Sequence, residues 1–227
     1  MSRTRVKICG VCRSQDAAAA AQAGADAVGI VFDPASRRCV SVDDAIEIVA
    51  ATPPFVMPIG LFVNASADEI RRILRLVPLA AIQLHGDEPP ELVAELKPIR
   101  IIKALHLAAG DVATLDRWRA AIGDLKLTNL IGILLETAST GPARGGTGVA
   151  NDFPALHALQ SAGQFAGLPP IIAAGGLTPA NVGEVVRLMR PFAVDVSSGV
   201  ESAPRDKSAK KMEAFVRAVR ISEPAED

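Results

Sequence analysis

The chain carries a thiol, two imidazoles and two carboxylates, each standing at or next to the end of a short apolar run: Cys9, His85, His106, Glu136 and Asp195. A thiolate is a base or nucleophile, and a carboxyl whose titration is raised by burial or by a nearby negative group is a general acid. Together they form a constellation suited to moving protons. Asp33 to Arg38, Asn64 and Gln83 occupy equivalent positions after or late in other apolar runs. Three small-residue stretches complete the set: Gly145-Gly146-Thr147-Gly148, Gly175-Gly176-Leu177-Thr178-Pro179 and Ser197-Ser198-Gly199-Val200-Glu201. Glycine lets backbone N–H groups approach an anion closely. Gly146, Gly148, Gly175, Gly176, Ser197, Ser198 and Gly199 are therefore candidate phosphate-binding positions, with tight turns as the plainer alternative. Cys9-Gly10-Val11-Cys12 has redox or metal spacing, but zinc needs a second cysteine pair or paired histidines. His85, His106 and His157 are not spaced as a pair, so no metal site is expected. Cys12 reads as a packing residue, and Cys39 has no assigned role.

These residues must be positioned by the elements between them. Strands are expected at 6–9, 27–32, 58–63, 80–84, 100–105, 130–135, 170–174 and 192–196. Helices are expected at 14–23, 42–51, 66–76, 90–97, 112–122, 152–162, 179–189 and 207–221, with a frayed tail after 221. Parallel strands need a crossover, and helices supply it. Runs such as Leu130-Ile131-Gly132-Ile133-Leu134-Leu135 are apolar throughout, as expected of strands buried on both faces. Eight such units in 227 residues predict an α/β fold, a (β/α)8 TIM barrel forming one domain over 1–227. An open doubly wound sheet is the alternative. In such barrels the loops after the strands form the active site, and phosphate is frequently held after strands seven and eight.

Composition narrows the partners. Lys plus Arg total 24 and Asp plus Glu total 25, a formal charge of −1. That excludes a nucleic-acid binder working through bulk charge. No apolar run approaches the roughly 20 residues of a membrane helix, and the N-terminal stretch makes a poor signal peptide. Three cysteines make no disulfide framework. A reduced, cytoplasmic setting is expected, with no nucleic-acid partner and no membrane. Nothing in the sequence specifies an oligomeric state.

Ordered motifs carry a family resemblance. Val6-Lys7-Ile8-Cys9-Gly10, Gly24-Ala25-Asp26-Ala27-Val28-Gly29, Ser36-Arg37-Arg38, Gly60-Leu61-Phe62-Val63-Asn64, Gln83-Leu84-His85-Gly86-Asp87-Glu88 and the three small-residue stretches follow one another over 6 to about 217. This pattern resembles the phosphoribosylanthranilate isomerases of tryptophan biosynthesis. The resemblance implies a (β/α)8 barrel and an Amadori rearrangement of N-(5-phosphoribosyl)anthranilate to 1-(2-carboxyphenylamino)-1-deoxyribulose 5-phosphate, with no cofactor. It implies Cys9 as general base, Glu136 as general acid and Arg38 as the clamp on the anthranilate carboxylate. Gln83, His85 and Asp195 would line the substrate. The chain departs from the family pattern in Glu136, where Asp is usual, in Arg37, where Pro is frequent, and in Phe153, where Trp is usual. The Glu136 departure keeps open a phosphosugar-binding barrel without catalysis. Fold alone also leaves open a different phosphosugar isomerase. For the assigned roles, Cys9 needs an electropositive neighbourhood and Glu136 needs its titration raised.

Overall fold

The computed structural model describes residues 3–107, 111–137 and 151–223. Eight strands close into a parallel barrel in sequence order: β1 (Arg5–Ile8), β2 (Ala27–Val31), β3 (Met57–Phe62), β4 (Ala81–Leu84), β5 (Ile101–Leu107), β6 (Leu130–Thr137), β7 (Ile171–Ala173) and β8 (Ala193–Val196). Closure is made where β1 pairs with β8, Lys7 opposite Asp195 and Ile8 opposite Val196. The expected barrel is the observed one.

Among the described residues, seven helices connect the strands: α1 (Ser14–Gln22), α2 (Val42–Ala50), α3 (Ala67–Leu76), α4 (Pro90–Glu95), α5 (Val112–Asp124), α6 (Phe153–Ser161) and α7 (Val182–Met189). The final helix, α8 (Ala209–Arg220), follows β8. Local chemistry sets their starts. Ser41 with Asp44 and Ser66 with Glu69 form reciprocal capping boxes at α2 and α3, each satisfying amides that the first turn leaves open. Pro90 opens α4, where its missing donor costs nothing. Among the described residues, no helix is long and apolar enough to cross a membrane.

Side chains alternate across a strand, and here the alternation separates two cores. One series packs together as Ile59, Ala81, Ile102, Ala104, Leu134, Ile172, Ala174 and Ala193, with Ala27 and Met57 against it. These are the barrel's inward positions. The intervening residues, such as Ile82, Leu84, Ile101, Ile133, Leu135 and Val194, join the helices in the larger core. Each buried Leu or Ile contributes about 1.5–3 kcal/mol relative to exposure. Both strand faces are thus apolar, which explains the unbroken runs.

Besides shifts of one or two residues at other helix and strand ends, the structure departs from the expected elements in three places that shape the site. β5 and β6 each continue two residues further, because His106 pairs with Glu136 and Leu107 with Thr137. α7 begins at Val182 rather than 179: the Thr178 amide donates to Asn181 Oδ1 and Asn181 Nδ2 donates to the Gly176 carbonyl, holding that stretch as a loop. Finally, residues 201–207 fold as a hairpin, β9 (Glu201–Ala203) against β10 (Asp206–Lys207), so the last helix starts at Ala209 instead of 207.

Candidate active site

Continuing each inward series by two residues leads from the apolar floor to the rim. Ala81 is followed by Gln83 and His85, Ala104 by His106, Leu134 by Glu136, and Ala193 by Asp195 and Ser197. On β1 the same face carries Lys7 and then Cys9. A cavity of about 720 Å³ opens over this rim. Cys9, Arg38, Gln83, His85, Glu136, Gly175, Gly176, Asp195, Ser197 and Ser198 all line it, as do Asp33, Ser36, Arg37 and Asn64. Of the expected site residues, Gly199 lies beside this lining in the short 3-10 helix Ser198–Val200, and Gly146 and Gly148 lie outside the described residues.

Cys9 is buried, and burial pushes its thiol up. Lys7, on the same face of β1, opposes that rise and bonds Asp195 Oδ1 at 2.9 Å. Although burial works against the Lys7 cation, Asp195 and Cys9 hold its titration above the ordinary lysine value. A permanent cation therefore sits next to the thiol. Gly29 makes room for it: a Cβ there would lie 2.8 Å from Cys9 Sγ and 3.1 Å from Lys7 Nζ.

The resemblance implies Arg38 as the carboxylate clamp. Its guanidinium forms two bonds to Glu201, Nε to Oε1 at 2.7 Å and Nη2 to Oε2 at 2.9 Å. Lys207 adds a third contact to Glu201 Oε1 at 3.2 Å and donates to the Ser197 carbonyl at 3.0 Å. The hairpin thus fixes both Arg38 and the loop after β8. Cys12 packs beneath, its sulfur near the Gly10 and Arg38 carbonyls.

Glu136 departs from expectation. Burial pushes its carboxyl up, yet the facing His106, His85 and Lys7 outweigh burial and leave it below the ordinary glutamate value. The free structure therefore does not raise it as an acid requires. Its Oε2 lies 3.6 Å from both His85 Nε2 and His106 Nε2. Burial drives His85 down to about 4, so it is neutral at physiological pH. Gln83 Nε2 contacts His85 Nδ1 at 2.9 Å.

The loops after β7 and β8 meet across the cavity. Gly175 and Gly176 have φ of +89° and +65°, a region that side-chain-bearing residues rarely adopt. Asn151 ties this turn to β6, donating from Nδ2 to the Ala174 and Leu135 carbonyls. Sequence reasoning missed Lys7, Glu201 and Lys207 as parts of the site. Lys7 had a readable signal: a charge within an apolar strand, two residues before Cys9 and on its face.

Comparisons with known proteins point the same way. The family model for N-(5'phosphoribosyl)anthranilate (PRA) isomerase matches residues 6–218. N-(5'-phosphoribosyl)anthranilate isomerase from Pseudomonas putida strain F1 is 46% identical over 222 residues, covering 97% of this chain and 99% of the relative. The enzyme of that name from Myxococcus xanthus is 42% identical over 216 residues, covering 95% and 96%. Among solved structures, phosphoribosyl anthranilate isomerase from Thermus thermophilus superposes with a TM-score of 0.80 at 34% identity, covering 96% of this chain and 99% of that one. A phosphoribosyl anthranilate isomerase in complex with reduced 1-(o-carboxyphenylamino)-1-deoxyribulose 5-phosphate gives a TM-score of 0.78, also at 34% identity, with coverage of 96% and 98%. With this extent of match the chain belongs to the N-(5'-phosphoribosyl)anthranilate isomerase family.

Proposed function

We propose that this isomerase of tryptophan biosynthesis works through Cys9 as general base and Glu136 as general acid. The observation that carries the reading is that both line one cavity with the loops holding Gly175, Gly176, Ser197 and Ser198. The substrate phosphate is held by backbone amides of the loops after β7 and β8. Arg38, steadied by Glu201, receives the anthranilate carboxylate. Gln83, His85 and Asp195 line the sugar.

Glu136 protonates the furanose ring oxygen, and the C1–O bond breaks to give an open-chain iminium. Cys9 thiolate then removes the C2 proton. The resulting enolamine tautomerises to the ketone, so atoms and electrons balance without redox change. Lys7 supports the thiolate charge. Glu136 acquires its proton more readily with substrate present, because the arriving carboxylate and phosphate add negative charge to the mouth, and like charge favours the neutral acid. The extra methylene of Glu, relative to the usual Asp, lets the carboxyl reach between His85 and His106.

Each catalyst is worth about 10² to 10⁴ in rate. Purified protein is expected to turn over phosphoribosylanthranilate without added metal or nucleotide. Cys9→Ala and Glu136→Gln should each lose that range while keeping the circular dichroism of the parent. Full activity in either variant removes that residue from its role. A silent parent with an active Glu136→Asp variant would identify the chain as a binding protein.

A further inference from the structure

We propose that His85, His106 and Glu136 form a site for a divalent transition metal of the Zn²⁺ type, and that the ion inhibits the enzyme by holding the Glu136 carboxylate. The three side chains come from three adjacent strand ends. His106 and Glu136 are direct partners across β5 and β6, and His85 follows β4. One ligand atom from each lies within 4.8 Å of the others. The two Glu136 separations are 3.6 Å. Zinc binds nitrogen and oxygen ligands at about 2.0–2.2 Å in a tetrahedron, whose edges are then roughly 3.4 Å. Two edges of that triangle are already within a few tenths of an ångström of this length, the third lies within 4.8 Å, and Glu136 faces the cavity, where a water or an incoming group takes the fourth position. Two imidazoles and one carboxylate with an open corner suit zinc, cobalt or nickel rather than magnesium or calcium.

Two polar atoms in and beside the triangle also lack a partner. His106 Nε2 and Gln83 Oε1 are buried and have no hydrogen-bond partner among the described residues. A metal satisfies the first. It takes the His106 Nε2 lone pair directly. It also requires His85 to present a bare Nε2, which places the proton on Nδ1. Gln83 contacts that nitrogen at 2.9 Å, and with its amide turned over, Oε1 accepts the Nδ1–H. A second ring nitrogen anchored to a carbonyl-type oxygen is the usual support of a metal-bound histidine.

Binding does not depend on the acid role of Glu136, whereas inhibition does, so the two are read separately. Co²⁺ is titrated into the full-length, tag-free enzyme and its visible spectrum recorded, then turnover is measured in the same samples. One equivalent should bind with the intense bands of low-coordinate cobalt and no thiolate charge-transfer band. His106→Gln and, independently, His85→Asn should weaken binding by more than about 100-fold, since loss of an outer supporting partner alone costs 10–100-fold. His157→Gln, on the outer helix α6, should bind as the parent does. Turnover should fall at least tenfold at saturating metal and return with a chelator. No visible bands at millimolar Co²⁺, or equal binding by both histidine variants, overturns the site. Full binding with undiminished turnover upholds the site but overturns the inhibition, and with it Glu136 as the acid.

Discussion

Gly29→Ala tests the placement of Cys9 without touching a reacting group. The added Cβ would lie 2.8 Å from Cys9 Sγ, 3.1 Å from Cys9 Cα and 3.1 Å from Lys7 Nζ. Ordinary contact begins at 3.4 Å, so the sulfur must retreat by 3.4 − 2.8, about 0.6 Å, or β1 must move away from β2. A displacement near 1 Å can cost about 10²-fold in rate, and a shift of this size is expected to lower kcat by about 10- to 100-fold. Forcing a methyl into a packed interior costs about 1–3 kcal/mol of stability. Steady-state kinetics and urea unfolding measure the two effects, and KM should change little because the phosphate loops and Arg38 lie elsewhere in the cavity. In a Cys9→Ala background the clash with sulfur is gone, and Gly29→Ala should then lower the residual rate by less than threefold, the non-additivity expected of residues in contact. Parental kcat in Gly29→Ala, or an undiminished second loss in the double variant, would refute this account of the thiol.

Glu88 accepts from the Asn64 and Gly86 amides and meets Lys103 Nζ at 2.9 Å, with Glu88 and Lys103 both buried; Glu88→Gln should cost about 3–5 kcal/mol in denaturant unfolding, the scale for breaking a buried pair. Glu201→Gln releases Arg38 and should raise KM at least tenfold with a smaller change in kcat, as expected for lost uniform binding. Glu201 also sets an acid limb of stability. Burial pushes its carboxyl up, but Arg38 and Lys207 outweigh burial and hold it below the ordinary value. A depressed carboxylate stabilises the fold above its unfolded value, and that contribution is lost as pH falls from about 4.3 through the folded value. Unfolding free energy in Glu201→Gln should therefore fall less steeply than the parent's over that interval, and equal slopes would contradict the assignment.

The barrel was legible because its strands are apolar on both faces, and runs such as those in β5 and β6 stand out from amphipathic helices such as α3. The rim residues were legible for the same reason: Cys9, His85 and Glu136 are where the apolar runs end. The limits were set by sequence distance. Arg38 and Glu201 are 163 positions apart, and no local pattern announces that a carboxylate after β8 will occupy an arginine after β2. His85, His106 and Glu136 meet only through strand register, so a search for paired histidine spacing passes over them. The direction of the Glu136 shift was unreadable for a similar reason, since it depends on which imidazole faces which oxygen.

The ring is sealed by its first and last strands, and the arginine after β2 waits for a carboxylate on the hairpin beyond β8. A ribosome must therefore deliver all eight strands and the hairpin before any working pocket exists. During translation the early strands have an open seam where β8 will lie, and no partial product can turn over substrate. Supplying the segment from β8 onward as a separate peptide should restore both closure and the Arg38 anchor, which makes this junction a natural place to divide the enzyme into complementing halves.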